Sequence, residues 1–504
     1  MTRTLTSLLF CLALPGLAAC PRPDEEVVLA PDAPATDPQL VEMSAAISRP
    51  TLRADEVEQF FARVRVSGKE FSGAAKPRVN LALALDASGS MQGEALAESK
   101  AAALTMLEQL EDGSRLSIVA FGGKTEVLVG SQVLDPSSRA MAREAIETME
   151  AKGTTDMAGG LSTALGLVTG ALDPEGINRV VLLSDGVPNE TAGIDAIAEQ
   201  ARNSGVSITS LGLGLEFDET LLTMISQRSG GRYHYLEEPD QVVAVFEEEL
   251  LDLERAVARS SSLALRAGPG VQIVEIVGFP GAAQGNWAQV HLGDIGDDQT
   301  RDVFVRLQVQ PHVDGARVEL FDATLTFQDV AVNAGSLQRE AYLSTTVGAE
   351  VDEGMQSQAS EIAGAAERMV AAAAIVEVVA LARGGQTAQA IARLDEAERI
   401  AEAAKGQFPT AGIGELLEEM QALRESWPTQ STALVVETPP TPAVGPGYPG
   451  GTPPSGADMS GMSGMADMPT PAPTAEYAPP PPPRSGKGSR RMRRSHAKAL
   501  EVIQ

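Results

Sequence analysis

The chain has 504 residues, of which 43% are hydrophobic, 21% are charged and 4% are aromatic. This length predicts two to four domains. Lys and Arg total 39 against 68 Asp and Glu, and the resulting net charge of −29 argues against binding to nucleic acid. Two cysteines are too few for a disulfide framework, an iron–sulfur cluster or a thiolate zinc site, and the four histidines are too scattered to favour a His-rich metal site.

The N-terminus has the pattern of a secretory signal. Arg3 precedes an apolar stretch at residues 5–14, which is too short to span a bilayer. The sequence Leu17-Ala18-Ala19-Cys20 that follows resembles a bacterial lipobox. This resemblance implies that residues 1–19 are removed and that an acylated Cys20 anchors the protein to a membrane. Pro21 replaces the Asp of inner-membrane retention signals, which favours the outer membrane of the cell envelope, in a periplasmic or surface-exposed position. The alternative is an ordinary signal in which Cys20 has no role.

The next part of the chain divides by composition and periodicity. Residues 20–47 are rich in Pro, Asp and Ala and are expected to form a tether. Residues 48–76 include an alternating stretch at 60–66 that predicts a strand of a β-sandwich. Residues 77–254 alternate between strands and helices, which predicts a doubly wound α/β domain with a mostly parallel sheet. The expected strands are 79–85, 116–121, 126–129, 180–183 and 206–213, and the expected helices are 96–110, 138–151, 157–172, 194–202, 219–227 and 242–258. On the last helix, Glu247, Glu248 and Glu249 are expected to face solvent.

The pattern changes at residues 255–346. Short alternating segments separated by Gly and Asp turns predict an antiparallel β-sandwich. The strand near residues 60–66 has no neighbouring strand before the α/β domain begins. The α/β domain is therefore expected either to be inserted in the sandwich, with that strand as part of it, or to be followed by it.

Three segments complete the chain. Residues 350–428 are rich in Ala, Glu and Leu and predict a helical hairpin broken at Gly384-Gly385. Residues 429–483 form a Pro-, Gly- and Met-rich linker that is expected to be disordered, because 15 of the 32 prolines lie in it. Residues 484–504 are a basic tail. Its arginines either form a solvated run or bind acidic partners, envelope phosphates or the acidic body of this protein; they include Arg490, Arg491, Arg493 and Arg494.

Oxygen-bearing side chains cluster where three loops are expected to meet. The first predicted strand of the α/β domain ends in Asp86-Ala87-Ser88-Gly89-Ser90, with oxygen side chains at alternate positions. Gly153-Thr154-Thr155-Asp156 precedes a helix, and Ser184-Asp185-Gly186 follows a strand. All three segments fall at the carboxyl end of the predicted sheet, where open α/β sheets bind ligands. Such a set suits a hard, octahedral cation such as Mg²⁺, Mn²⁺ or Ca²⁺.

These residues resemble a von Willebrand factor type A (VWA) domain with a metal-ion-dependent adhesion site. The match consists of Asp86, Ser88, Ser90, a loop threonine aligned best as Thr155, with Thr154 as its rival, and Asp185. The resemblance covers about residues 77–254. It implies that Mg²⁺, or Mn²⁺ or Ca²⁺, is held mainly by neutral hydroxyls and keeps an open position. An exposed Asp or Glu of a protein partner would then complete the coordination.

The order of segments also resembles that of bacterial VWA-containing surface lipoproteins. The expected function is non-enzymatic: a membrane-anchored protein that binds a protein ligand through the cation. The alternative is a scaffold subunit of an envelope complex, which contacts its partners through the helical region and basic tail. No small-molecule substrate is expected, because the chain lacks a Gly-x-Ser-x-Gly elbow around Ser88 or Ser90, and Gly122-Gly123-Lys124-Thr125 lacks the first glycine of a phosphate-binding loop.

Overall fold

The computed structural model describes residues 37–71, 77–214, 217–426 and 487–503. These residues form an α/β unit, a β-sandwich and a set of helices, and this architecture confirms the predicted fold class. Cys20 and the whole of the predicted linker lie outside the described residues.

The α/β unit contains one six-stranded sheet with the order β5-β4-β3-β6-β7-β8, in which only the edge strand β5 is antiparallel to its neighbour. Its strands are β3 (Val79–Asp86), β4 (Arg115–Phe121), β5 (Thr125–Val133), β6 (Ile177–Ser184), β7 (Ser207–Leu213) and β8 (Tyr233–Leu236). Its helices are α1 (Glu94–Gln109), α2 (Pro136–Thr148), α3 (Met157–Thr169), α4 (Ile194–Asn203), α5 (Glu219–Ser229) and α6 (Gln241–Glu254). The short strand β8 was not among the predicted elements.

Helices cover both faces of this sheet. Every residue of β3, β6 and β7 is buried, as is typical of central parallel strands. Apolar residues of α1, α2 and α6 pack against one face, and those of α3, α4 and α5 pack against the other. The chain leaves β3 toward β4 on one side and returns to β6 on the other, so the topological switch point lies between β3 and β6.

The β-sandwich contains strands that come before the α/β unit in the sequence and strands that come after it. One sheet has the order β1-β2-β13-β10, and the other has the order β11-β12-β9-β14-β15. The strands are β1 (Val41–Ile47), β2 (Glu58–Gly68), β9 (Ala256–Ala267), β10 (Val271–Ile276), β11 (Ala283–Gln284), β12 (Trp287–Gly296), β13 (Thr300–Val309), β14 (Arg317–Asp329) and β15 (Gly335–Thr346). Strand β2 pairs along its length with β13, so the α/β unit is inserted in the sandwich.

Two predicted boundaries are wrong at the joints of this sandwich. Strand β1 begins at Val41, inside the range expected to be a tether, because Val41 is buried and the strand pairs with β2. The helix expected to reach Ala258 ends at Glu254, because Ala256, Val257 and Ala258 are buried as the first residues of β9.

The helical region is larger than the predicted hairpin. It contains α7 (Glu353–Arg383), α8 (Thr387–Gln407), α9 (Ile413–Ser426) and α10 (Lys487–Ile503). Helices α7 and α8 form the expected hairpin around Gly384-Gly385, where Gly385 has a φ of +73°. A second break at Gly412, with a φ of +75°, separates α9. In the part of the chain that the structure describes, no helix is long and apolar enough to cross a membrane.

Candidate metal centre

The candidate site lies at the switch point of the six-stranded sheet. Asp86 is the last residue of β3, and Ser184 is the last residue of β6. The parallel pairing of Leu85 with Leu183 brings the two strand ends side by side. The loops that leave β3 and β6 therefore begin next to each other, as ligand-binding loops do in open α/β sheets.

The first loop forms a tight turn that keeps its hydroxyls close together. Ser88 precedes a 3₁₀ turn at Gly89–Met91, and the fully buried Met91 anchors this turn to the core. The Ser88 amide donates to Asp86 Oδ1 at 2.8 Å, and the Ser88 and Ser90 hydroxyl oxygens are 2.9 Å apart. Alternate positions of the loop thus face the same space.

Backbone hydrogen bonds join the second loop to the first and the third. The Lys152 amide donates to the Ala87 carbonyl at 2.7 Å, and the Gly89 amide donates to the Gly153 carbonyl at 3.0 Å. The Asn189 amide, which follows β6, donates to the Thr155 carbonyl at 3.1 Å. These bonds hold the three loops in one rigid group, independently of their side chains.

The third loop closes the group of oxygens. The Ser90 hydroxyl donates to Asp185 Oδ1 at 2.7 Å. A Cβ added to Gly186 would lie 3.1 Å from Thr155 Oγ1 and 3.6 Å from Ser90 Oγ, so these two hydroxyls border the same glycine. The structure therefore brings together all five predicted residues: Asp86, Ser88, Ser90, Thr155 and Asp185.

The two candidate threonines occupy different environments. Thr155 is buried with its hydroxyl beside Gly186, whereas Thr154 is exposed. Asp156, the next residue, accepts hydrogen bonds from the Gly159 amide at 3.1 Å and the Thr125 hydroxyl at 3.2 Å, and thereby caps α3. The geometry favours Thr155 over Thr154 as a ligand and gives Asp156 a structural role.

Asp86 is the fully buried carboxylate of the site. Its side chain is fully buried, and burial raises the pKa of its carboxyl group, while hydrogen bonds from Ser184 and Ser88 act in the opposite direction. The Ser184 hydroxyl donates to Asp86 Oδ2 at 2.6 Å. Among the described residues, no Lys, Arg or His forms a salt bridge with Asp86. A buried carboxylate of this kind is stabilised by a bound cation, so the donor set fits a divalent metal.

The chemistry of the site depends on hydroxyls as much as on carboxylates. Within the described ranges, no group of three or more His, Cys, Asp and Glu side chains is arranged to hold a metal ion. The candidate site instead offers three hydroxyls and two carboxylates. Ser184 was not among the predicted site residues. Its signal in the sequence was its position at the end of a strand that neighbours the strand ending in Asp86.

Comparison with known proteins identifies the unit that carries this site. A model of the von Willebrand factor type A domain family matches residues 79–235. This chain contains a VWA domain. Domains of this family are typically protein-interaction or adhesion modules.

Relatives of the chain share this domain at low identity. An uncharacterised protein from Synechocystis is 27% identical over 51% of this chain and 63% of its own length. The Escherichia coli protein YfbK is 25% identical over 41% of this chain and 37% of its own length. The chain therefore spans less than two thirds of these relatives. A solved von Willebrand factor type A structure from Catenulispora acidiphila matches 76% of this chain and 89% of its own, with a TM-score of 0.59 and 21% identity, which shows the shared fold.

One acidic residue on the last helix of the α/β unit, α6, was wrongly predicted to face solvent. Glu249 is buried, and it accepts a hydrogen bond from the Thr209 hydroxyl at 2.7 Å and contacts His234 Nε2 at 2.9 Å and Arg232 Nη2 at 2.6 Å. Burial alone would raise the pKa of Glu249, but His234 and Arg232 outweigh it and hold the pKa well below its usual range. The cationic partners lie on and just before strand β8, a different element from the helix, so the local run of three Glu gave no sign of this cluster.

The structure places the basic tail on the chain's own body. Arg493 is buried against Phe217, and Arg494 Nε donates to Glu237 at 2.7 Å. Arg491 is exposed, whereas the side chain of Arg490 lies outside the described residues. The basic tail thus lies against the acidic body of this protein, which is one of the alternatives that the sequence left open.

Proposed function

We propose that this protein is an envelope lipoprotein whose VWA domain binds a protein partner through a divalent cation. The observation that carries this proposal is the convergence of three hydroxyls and the Asp185 carboxylate around the buried Asp86. The proposed ligands are Asp86, Ser88, Ser90, Thr155 and Asp185, either directly or through water, and the proposed metal is Mg²⁺, with Mn²⁺ or Ca²⁺ as substitutes.

The composition of the site supports a partner that contributes a carboxylate. Mg²⁺ prefers six oxygen ligands and typically combines a few protein oxygens with exchangeable ones. Ser88, Ser90 and Thr155 are neutral, so binding through their hydroxyls would leave positive charge on the metal. The exposed position of Ser90 at the edge of the sheet leaves that side of the site accessible. An Asp or Glu side chain from a partner is the anionic ligand that would complete such a site.

The cation and the partner are tested in one capture experiment. The full chain is immobilised and offered an envelope extract with Mg²⁺, with chelator, and with Mn²⁺ added after chelator. We expect capture in Mg²⁺, loss in chelator and recovery in Mn²⁺. Amidation of the carboxyl groups in the extract should abolish capture without affecting the immobilised protein. Capture that persists both in chelator and with Asp86→Ala would contradict the proposal.

Anchoring through Cys20 is tested separately. Cells that produce the wild-type chain or Cys20→Ser are fed an alkyne-labelled fatty acid, and the protein is recovered and probed for the label. We expect the wild type to carry the label and to sediment with membranes, and Cys20→Ser to do neither. Equal labelling of the two chains would show that Cys20 is not acylated.

A further inference from the structure

Helix α10 lies at the junction of the three structural units. It packs against α7 and α9 of the helical region and against β8 of the VWA domain. Its last described residue, Ile503, lies against Gly278 of the sandwich: a Cβ added to this glycine would be 2.7 Å from Ile503 Cγ2. A single segment from the end of the chain thus contacts all three units.

A buried cluster of charged side chains joins α10 to the VWA domain. Glu219, at the first position of α5, is fully buried and pairs with His496 of α10 and Arg383 of α7. Arg493 Nη1 is 4.0 Å from the same carboxylate. The guanidinium of Arg493 also lies 4.2 Å from the centre of the Phe217 ring and donates to the Phe217 carbonyl at 3.0 Å.

Two further acidic side chains bind the basic helix at its edges. Glu237, just after β8, pairs with Arg494. Glu419 of α9 accepts a hydrogen bond from the Ser495 hydroxyl at 2.8 Å and lies 3.4 Å from Lys498 Nζ. The surface under α10 therefore presents acidic groups from three separate elements, which match the positive charges of the helix.

Apolar side chains on the same buried face of α10 as Arg493 and His496 fill the floor of this surface. Ala499 and Ile503 join the core of the helical region, while Leu500 joins the core of the VWA domain. All three are buried. The spacing of Leu500 and Ile503, with His496 one turn and Met492 two turns before Leu500, is that of one face of an amphipathic helix.

The walls of this groove belong to elements that also pack on parts of the chain other than α10. Helices α5, α7 and α9 and strand β8 each have such contacts, and Glu219 is paired with Arg383 of α7 as well as with α10. Residues 427–486 separate α10 from α9 in the sequence. The helix is thus joined to its groove by side-chain contacts and by a long covalent connection.

From this arrangement we infer that the groove is a binding site for a basic amphipathic helix and that α10 is its exchangeable ligand within the same chain. The groove recognises cationic side chains through Glu219, Glu237 and Glu419 and an apolar face through the two cores. This site is distinct from the proposed metal centre. It lies at the same sheet edge, because Phe217 follows β7 and Glu237 follows β8 at their carboxyl ends.

The test uses the full chain with a specific protease site inserted between residues 450 and 451. After cleavage, an excess of a synthetic peptide of residues 487–503 is added, and the release of the C-terminal fragment is followed by gel filtration and mass spectrometry. We expect the fragment to stay bound after cleavage and to be displaced by the peptide, while the thermal melt of the body persists. A fragment that is not displaced, or whose cleavage unfolds the body, would show that α10 is a permanent part of the core.

Peptide variants test the proposed contacts. We expect Leu500→Ala and Arg493→Ala peptides to displace the fragment only at about tenfold or higher concentration, because each loses a buried contact. Arg491→Ala is the matched control, since Arg491 is exposed, and it should displace the fragment like the unmodified peptide. Equal displacement by all variants would contradict the groove. A concentration-dependent dimer of the uncleaved chain that the peptide dissolves would show that the occupant comes from a second copy, and would overturn the assignment within one chain.

Discussion

Replacing Asp86 with Asn tests metal binding separately from the stability of the metal-free fold. The side chain keeps its size, and an amide can still accept from the Ser88 amide and donate to the Ser184 hydroxyl, which now bond to the two carboxylate oxygens. The substitution removes a negative charge that is fully buried and has no cationic partner among the described residues. In chelator, Asp86→Asn is therefore expected to be at least as stable as the wild type.

In the presence of a divalent cation, the wild type should become more stable than Asp86→Asn. A ligand at one hundred times its dissociation constant stabilises the folded state by about 2.7 kcal/mol. In a domain of this size, each kcal/mol of added stability raises the melting temperature by about 2–4 °C. Saturating metal should therefore raise the melting temperature of the wild type by about 5–10 °C. The Asn variant lacks the buried carboxylate of the proposed site, and we expect its melting temperature to stay unchanged when metal is added.

Differential scanning calorimetry of the full chain, with chelator and with Mg²⁺, measures both effects. Asp156→Asn is the matched control, because Asp156 adjoins the site but its carboxylate caps α3. This variant should respond to Mg²⁺ like the wild type. If the wild type showed no shift with Mg²⁺, Mn²⁺ or Ca²⁺, or if Asp86→Asn shifted equally, the assignment of this site to a cation would be refuted.

Three further predictions address the threonines and the buried acids. Thr155→Val should weaken Mg²⁺ binding about tenfold or more by calorimetric titration, whereas Thr154→Val, at an exposed position, should leave it within about twofold. Glu249→Gln should lower the free energy of unfolding in urea by about 3 kcal/mol, because it leaves His234 and Arg232 with a neutral partner, while the exposed Glu248→Gln should change it by less than about 0.5 kcal/mol. Burial opposes ionisation of both Glu249 and Glu219, but cationic partners hold both pKa values below the ordinary value of 4.5. The partners of Glu249 are His234 and Arg232, and those of Glu219 are His496 and Arg383. A carboxyl group with a lowered pKa in the folded state stabilises the fold at pH values above its pKa in the unfolded chain. The urea midpoint of the wild type should therefore fall as the pH decreases below about 4.5, and that of Glu249→Gln should fall less steeply. Equal slopes for the two proteins would contradict this account.

Local sequence patterns were enough to predict which oxygen-bearing residues lie together at this edge of the sheet. Asp86, Ser88 and Ser90 lie in one loop, and the other two residues follow elements whose carboxyl ends must meet in a doubly wound sheet. Periodicity placed those loops at one edge without any knowledge of side-chain contacts. The bordering role of Gly186 and the hydrogen bond from Ser184 required the actual register of β3 and β6.

Composition was a poor guide wherever a charged residue has a distant partner. The run at Glu247–Glu249 is typical of a solvated helix face, yet Glu249 is buried because His234 of β8 and Arg232, just before that strand, lie opposite it. The composition of the basic C-terminal segment left open whether it is solvated or docks on the acidic body, and the structure shows Arg493 buried beside Glu219. In both cases the deciding interaction joins residues that are far apart along the chain or on another element.

The amino-acid sequence by itself determined the alternation of strands and helices, the sandwich that follows it and the set of oxygen donors, because each of these depends on side-chain periodicity or on short loops. Only the tertiary structure decided that β2 joins β13 across the inserted VWA domain and that α10 closes over Glu219. These contacts depend on which distant surfaces match in shape and charge, and a neutralised, buried ion pair leaves no local pattern from which it could be inferred.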